Sequence, residues 1–359
     1  MIKLNISLGE RSYPIYITAD FNGLGKCCQS ARLKGKVVVI TDTNVDKYQS
    51  EQCIENLAEA GFEVIKYVIE AGEKNKNLKT VEEIYKFLIS QKLDRHSTLM
   101  ALGGGVVGDI TGFAAATFLR GINFVQVPTS LLAQADSSVG GKVGVDLEGS
   151  KNIVGAFYQP KLVYINVNTL KTLPKRELQS GLAEIVKHGV IRDPDFLDYI
   201  DYNIKKIFNF DEDILKFMAK TNCQIKGNVV EQDEKESDLR AILNFGHTIG
   251  HAIESVYNFE LLHGECVALG MVAASRLAYH LEMLEEDSVN KIVDVLRKIG
   301  LPIKLNGIKV DEVYNQMFHD KKIKDNKLVF VLPKAIGEVI QCNIDDEALL
   351  KKVIGGLGE

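Results

Sequence analysis

From residue 36 to residue 165, short uninterrupted apolar runs alternate with stretches of helical periodicity, and few architectures fit that rhythm. Lys36-Val37-Val38-Val39-Ile40, residues 63–69, Thr98-Leu99-Met100-Ala101-Leu102, Phe124-Val125-Gln126-Val127 and Leu162-Val163-Tyr164-Ile165 read as strands. A strand that is apolar throughout is one covered on both faces. Helices are expected between them near residues 48–60 and 78–91. Buried strands spaced by helices imply an open, mostly parallel α/β sheet. Residues 2–8 and 13–18 alternate apolar and polar positions around Gly9-Glu10-Arg11, the pattern of a hairpin or edge pair.

After Leu173-Pro174 the rhythm stops. Only helical periodicities follow until about Gly300, and the next strand signals, at 328–332 and 339–340, suffice for a small terminal hairpin. A chain of 359 residues suits two domains. The expectation is a Rossmann-like, mostly parallel sheet domain over residues 1–170 and a mainly helical domain over 171–359. The active site is expected in the cleft between them, a natural place for a ligand.

Composition narrows the partners. Hydrophobic residues at 46% and charged ones at 25% are ordinary for a globular chain and exclude collagen, coiled coil and disorder. With 43 basic and 48 acidic side chains the formal charge is −5, which argues against nucleic acid as a partner. An anionic small molecule stays compatible, because a local cationic pocket can sit inside an acidic protein. The most apolar stretch, residues 98–107, is far short of the ~20 residues of a membrane span. Six cysteines without a CxxC pair, and a start without a basic segment, apolar run or cleavage site, suggest reduced thiols and a cytoplasmic location.

Gly103-Gly104-Gly105-Val106-Val107-Gly108-Asp109 follows a buried strand and opens a helical stretch, and Gly103, Gly105 and Gly108 fit G-x-G-x-x-G. Glycine there lets the backbone approach a pyrophosphate, and a helix N-terminus supplies unpaired amides and partial positive charge. Alone the pattern is weak, since a tight strand-to-helix turn looks the same. The usual ribose-binding acid ~20 residues downstream has no counterpart here. Asp42, closing the earlier strand Val39-Ile40-Thr41-Asp42, is the acid that the carboxyl edge of a parallel sheet would offer instead. Dinucleotide binding in an atypical topology is therefore expected.

The helical half carries a second chemistry. His247 and His251 stand at i and i+4, Glu184 and His188 repeat that spacing, and His263-Gly264-Glu265 follows. Imidazoles with one carboxylate are the ligand set of catalytic zinc. A single histidine is more often a satisfied core residue, but four of seven fall in these three segments. Spacing alone leaves three ligands to be drawn from His188, His247, His251, His263, Glu184 and Glu265. The glycine-rich stretch from Asp136 to Asp146, which reads as loop, holds Lys142. With Lys151, Lys187, Lys226, Arg240 and Lys334 it supplies cations, and with Asn152 and Asn244 neutral amides, beside glycine turns and apolar runs. Such a set, with a metal, suits a substrate bearing phosphate and carboxylate together.

These segments resemble the 3-dehydroquinate synthase family of sugar phosphate cyclases, from about residue 36 to 340. The most specific stretches are Gly103–Asp109, Pro128-Thr129-Ser130-Leu131-Leu132-Ala133-Gln134-Ala135-Asp136-Ser137-Ser138-Val139-Gly140-Gly141-Lys142, residues 243–254 and residues 263–271. The resemblance implies zinc (or cobalt) on Glu184, His247 and His263, leaving His251 and His188 off the metal. It implies NAD held by Asp42, Glu73, Lys74, Asn75, Lys76, Gly104, Gly105, Val106, Val107, Gly108, Asp109, Thr129, Ser130, Thr169, Leu170, Lys171 and Thr172, with Lys142 and Lys151 near the nicotinamide. Substrate anions would meet Lys142, Asn152, Lys226, Arg240, Asn244 and Lys334. Arg120, in Phe118-Leu119-Arg120-Gly121, matches an arginine that reaches a neighbouring subunit's site, so a homodimer is implied. Ser130 and Ala135 stand where many members carry threonine and a larger aliphatic residue.

The implied reaction is a lyase step of the shikimate pathway of aromatic amino acid biosynthesis. It converts 3-deoxy-D-arabino-heptulosonate 7-phosphate to 3-dehydroquinate and phosphate. The steps are transient oxidation by NAD, β-elimination of phosphate, re-reduction, ring opening and an intramolecular aldol closure. His251 would move the hydroxyl proton, with Asp136 and Lys187 ordering hydroxyls and water around it. Lys142 and Arg240 would hold the substrate's charge in reacting geometry. The rival expectations are a metal-dependent NAD polyol dehydrogenase and another sugar phosphate cyclase.

Overall fold

The structure is a computed structural model that describes residues 1–148, 150–236, 238–258, 260–318 and 328–358. It divides into two compact units. One is Met1–Pro174 with Phe210–Lys235, and the other is Lys175–Asn209 with Glu236–Glu359. The division is discontinuous, where the sequence suggested a single cut near residue 170.

The first unit begins with β1 (Ile2–Ile6) and β2 (Tyr13–Thr18), an antiparallel pair, as the alternation around Gly9 predicts. It continues through α1 (Leu24–Ser30), β3 (Lys36–Asp42), α2 (Asp46–Glu59), β4 (Glu63–Ile69), α3 (Leu78–Ser90), β5 (Thr98–Gly103) and α4 (Gly105–Thr117). After these come β6 (Asn123–Pro128), β7 (Lys142–Leu147), β8 (Ser150–Phe157) and β9 (Leu162–Asn166). Seven strands form one sheet in the order β1-β2-β9-β6-β5-β3-β4. Every pairing except β1–β2 is parallel.

The two-faced burial seen in sequence follows from the strand pleat. Val38, Ile40, Leu99 and Ala101 pack against Ile84 and Leu88 of α3 and Ile110 and Ala114 of α4. Their neighbours Val37, Val39, Met100 and Leu102 point the other way, onto Leu24 and Cys28 of α1 and Cys53 and Leu57 of α2. The chain leaves β3 for the edge strand β4, then returns to lay β5 on the opposite side of β3. That reversal puts a topological switch point at the carboxyl ends of β3 and β5, the place where open α/β sheets bind ligands.

Two stretches depart from expectation. Residues 142–146, within the stretch read as loop, instead belong to β7, which pairs with β8 in a hairpin. Gly144 and Gly155 weaken the strand signal because the strands approach closely there: a Cβ on either would lie 2.7 or 2.5 Å from a carbonyl oxygen of the facing strand. The helix α7, residues Glu212–Gln232, belongs to the first unit although it follows α5 (Lys175–Arg192) and α6 (Pro194–Phe208) of the second. Asn222 of α7 donates to the Ala135 carbonyl at 2.7 Å, and buried Cys223 contacts the Gln134 carbonyl.

The second unit adds α8 (His247–Val256), α9 (His263–His280), α10 (Glu286–Ile299) and α11 (Val310–Met317) to α5 and α6. A hairpin of β10 (Leu328–Ala335) and β11 (Glu338–Ile344) and a last helix, α12 (Glu347–Gly355), complete it. The helix α9 is buried along nearly its whole length. Its glycines set how closely its neighbours approach. A Cβ on Gly264 would lie 1.9 Å from the Ser180 carbonyl oxygen of α5, and one on Gly270 would lie 1.8 Å from that of Gly246, just before α8. Three backbones are thus held in direct contact.

Candidate active site

In the first unit the carboxyl ends of four strands bring the expected cofactor residues together. Thr41 pairs with Leu102, and Gly103 with Pro128, so Asp42, the glycine turn and Thr129 stand side by side. The Thr129 amide donates to the Gly103 carbonyl at 3.0 Å. Gly104 precedes α4 without a side-chain cap, so the first-turn amides of a 13-residue helix stay available to an anion. Cβ atoms on Gly104 and Gly105 would lie 3.3 Å from the Ser130 and Ser137 hydroxyls, so side chains there would narrow this backbone cradle.

Not every expected cofactor residue offers its side chain. Val107 and Leu170 are core residues, and the Thr169 hydroxyl is buried between Gln134 and the Asn166 carbonyl. Any contact from Val107 or Leu170 is through backbone. Asp42 accepts the amides of Asn44 and Val45, and Asn75 donates to the carbonyls of Glu70 and Ala71, so both also shape their own turns. Thr172 accepts from Gln49, and exposed Lys171 lies 3.8 Å from Glu212. Val106, half-buried, follows Gly105 in the first turn of α4.

A charged knot lies beyond the glycine turn. Buried Lys76 donates to Asp109 Oδ2 at 2.6 Å and to Asn152 Oδ1 at 2.5 Å. Lys151 stands 3.9 Å from Glu73, which with exposed Lys74 lies in the short turn before Lys76. Asn152 sits at φ +52, a left-handed conformation unusual outside glycine. Burial raises the Asp109 carboxyl to about 6, against the opposing pull of Lys76. Lys76 itself loses from burial but is raised on balance by Asp109 and Glu73. Lys226 of α7, 4% exposed, is 2.5 Å from both Asp136 Oδ1 and the Asp136 carbonyl. Lys142 is exposed at the start of β7, after Gly140 and Gly141 at φ +103 and +67.

In the second unit the close helix contacts assemble an ion-sized site. Glu184 of α5 is fully buried. Its Oε1 has no hydrogen-bond partner and lies 3.5 Å from the Nε2 atoms of both His247 and His263. Its Oε2 accepts from Lys187, itself 1% exposed. His247 directs Nδ1 at the Phe245 carbonyl, 3.1 Å away, and His263 directs Nδ1 at Glu254 Oε2, 3.5 Å away. Both rings therefore turn Nε2 toward the orphaned carboxylate oxygen. A buried acceptor with no donor and two inward imidazole nitrogens fit a divalent cation. The His263 side chain is 28% exposed, against 11% for His247, so one side of the site stays open. His251 stands 5.1 and 5.8 Å, ring to ring, from His247 and His263, and the ligand atoms of the three histidines lie within 4.8 Å of one another.

The charges there follow from burial and company. Burial pushes Glu184 up, yet Lys187 and the two imidazoles outweigh it and hold the carboxyl well below the usual range. Burial, then Lys187, keeps His247 neutral. Burial also disfavours charge on His263, but Glu184 and Glu254 reverse that and raise it. Glu265, a candidate ligand by spacing, instead accepts from Arg176 at 2.7 Å and from the Leu262 amide at 2.8 Å, capping α9. His188 is buried in α5, one turn beyond Glu184.

The remaining expected residues are spread over both units. Arg240 is 2% exposed, Asn244 donates to Glu236 at 3.2 Å, and Lys334 is exposed near the end of β10. In the first unit Leu119 and Arg120 adopt φ +50 and +66 in succession, and both are exposed. Sequence reading missed Glu254, whose signal was its place at i+7 from His247 and i+3 from His251 on one helical face. It also missed Gln134, whose amide donates to the carbonyls of Pro128 and Asn166 and ties the ends of β6 and β9.

Comparison with known proteins agrees with this geometry. The descriptions "3-dehydroquinate synthase N-terminal" and "3-dehydroquinate synthase C-terminal" match residues 66–180 and 181–323. A 3-dehydroquinate synthase of Acetivibrio thermocellus is 71% identical over 360 residues, covering all of both chains. Among solved structures, a 2-epi-5-epi-valiolone synthase from Streptomyces hygroscopicus with NAD+ and Zn2+ bound superposes with a TM-score of 0.90 at 27% identity, over 98% of each chain. A 2-deoxy-scyllo-inosose synthase complexed with carbaglucose-6-phosphate, NAD+ and Co2+ gives 0.88 at 25% identity, over 98% of this chain and 99% of that one.

Proposed function

The chain belongs to the 3-dehydroquinate synthase family, and from that footing we propose that it converts 3-deoxy-D-arabino-heptulosonate 7-phosphate into 3-dehydroquinate and phosphate, as a lyase. The observation that carries the chemistry is the buried, unpartnered Glu184 Oε1 facing two imidazole nitrogens at 3.5 Å. We assign zinc or cobalt to Glu184, His247 and His263, with His251 left off the metal. When bound, the ion would supply Lewis-acid polarisation at the substrate's hydroxyl oxygens, and NAD would supply a reversible hydride acceptor for the C5 alcohol.

The protein's own residues then have defined tasks. His251 takes the hydroxyl proton, as an imidazole beside but not on the metal can. Asp136 and Lys187 order hydroxyls and water about the reacting carbons. Lys142, Asn152, Lys226, Arg240, Asn244 and Lys334 bind the carboxylate and the roughly −1.5 to −2 charge of the phosphate. The amides at the start of α4 and the Lys76–Asp109 pair hold the dinucleotide. The leaving phosphate serves as its own base at C6, so no further protein base is required.

Arg120 is assigned to the active site of a second subunit, which makes the working enzyme a homodimer; its left-handed backbone and exposure suit an outward reach. No helix among the described residues is long and apolar enough to cross a membrane, and all six cysteines are thiols. Both suit a cytoplasmic enzyme. Dialysis against a chelator should abolish phosphate release, and zinc or cobalt should restore it. Full turnover by metal-free protein would remove the metal from the account.

A further inference from the structure

We infer that Glu254 is a positioning residue for the metal site: it fixes the tautomer and orientation of His263 so that Nε2 is presented to the ion. The inference rests on the metal assignment above.

His263 has a carboxylate oxygen 3.5 Å from each ring nitrogen, Glu184 Oε1 at Nε2 and Glu254 Oε2 at Nδ1. The two ends differ. Nε2 faces a point it shares with His247 and the unpartnered carboxylate oxygen, where an ion has three donors. At Nδ1 the polar contact described is Glu254. An imidazole cannot present a lone pair at both nitrogens while keeping a proton, so a carboxylate at Nδ1 retains that proton and frees Nε2. His247 meets the same requirement through the Phe245 carbonyl. The two ligands thus use different partners for one purpose, as ligating histidines generally do.

Glu254 is 5% exposed. It lies on the α8 face that carries His247 and His251, at i+7 and i+3. A carboxylate buried that deeply needs compensation, and His263 supplies part of it. The rival role is purely structural, a counter-ion that holds α8 against the start of α9. The two roles separate experimentally, because only the positioning role changes metal affinity at unchanged fold stability.

The test uses the whole chain, with zinc affinity measured by competition with a chromophoric chelator and thermal stability measured metal-free. Glu254→Ala should weaken zinc binding about 10- to 100-fold. Glu254→Gln, which keeps the shape and one acceptor oxygen, should fall between Ala and wild type, with its metal-free melting temperature close to wild type. With cobalt, the visible absorption of Glu254→Gln should shift as His263 loses its fixed orientation. Should Glu254→Ala fail to fold, Glu254→Gln decides. Zinc affinity within threefold of wild type in Glu254→Gln, with an unshifted cobalt spectrum, overturns the inference while leaving the metal assignment intact. A wild-type chain that binds neither ion overturns both.

Discussion

A proton-moving His251 and a metal-binding Glu184 predict opposite outcomes for two substitutions in one small cluster. Glu184→Gln should lose zinc and activity together, because a neutral amide facing His247 and His263 gives the ion no charge. His251→Ala should keep zinc while kcat falls about 100-fold or more, the scale of general acid–base catalysis. Loss of zinc from His251→Ala would instead favour the three-histidine set that the geometry also brings within reach. Asp109 makes a pH prediction. Its carboxyl titrates near 6 in the folded protein and near 3.8 when exposed, so the folded state holds the extra proton between those values. The stability this group contributes is full below about pH 4 and is lost as pH rises through about 6. The urea-unfolding stability of wild type minus that of Asp109→Asn should therefore shrink from pH 4 to pH 7; a constant or growing difference would contradict the assignment.

At the scale of elements, helix approach sets the geometry of the proposed metal cluster. Alanine at Gly264 would drive a methyl to 1.9 Å from the Ser180 backbone oxygen, and backbone cannot rotate aside as a side chain can. Gly264→Ala should cost at least about 1–3 kcal/mol by urea unfolding and weaken zinc binding through the adjacent His263. Wild-type stability and affinity in that variant would sever packing from metal geometry. Legibility followed the range of each interaction. The parallel strands and His247–His251 were readable because pleat and helix periods are local rules. Glu184 was one of several candidates by spacing, and only the family resemblance singled it out. Lys76 and Asp109, 33 positions apart, met through folding alone. The β7–β8 hairpin was hidden because its glycines answer to the facing strand, and α7 because an amphipathic helix does not state which core it covers.

At the scale of the whole molecule, one unit carries the proposed cofactor cradle and the other the proposed metal cluster, while Arg120 is assigned to a second subunit. Arg120→Ala and His251→Ala, each inactive alone, should regain activity when their subunits are mixed. Random pairing gives up to about a quarter of wild-type sites, since only heterodimers hold one intact site. Absence of recovery after verified subunit exchange would confine Arg120 to its own chain. The central claim is that NAD is used and regenerated within one turnover while phosphate leaves and a carbocycle closes. It is tested most directly by supplying zinc-loaded protein with NAD and the heptulosonate phosphate, and following inorganic phosphate, 3-dehydroquinate and absorbance at 340 nm together. The account predicts phosphate and 3-dehydroquinate in equal amounts with no accumulating NADH; NADH accumulating with substrate, without phosphate, would identify a simple dehydrogenase instead.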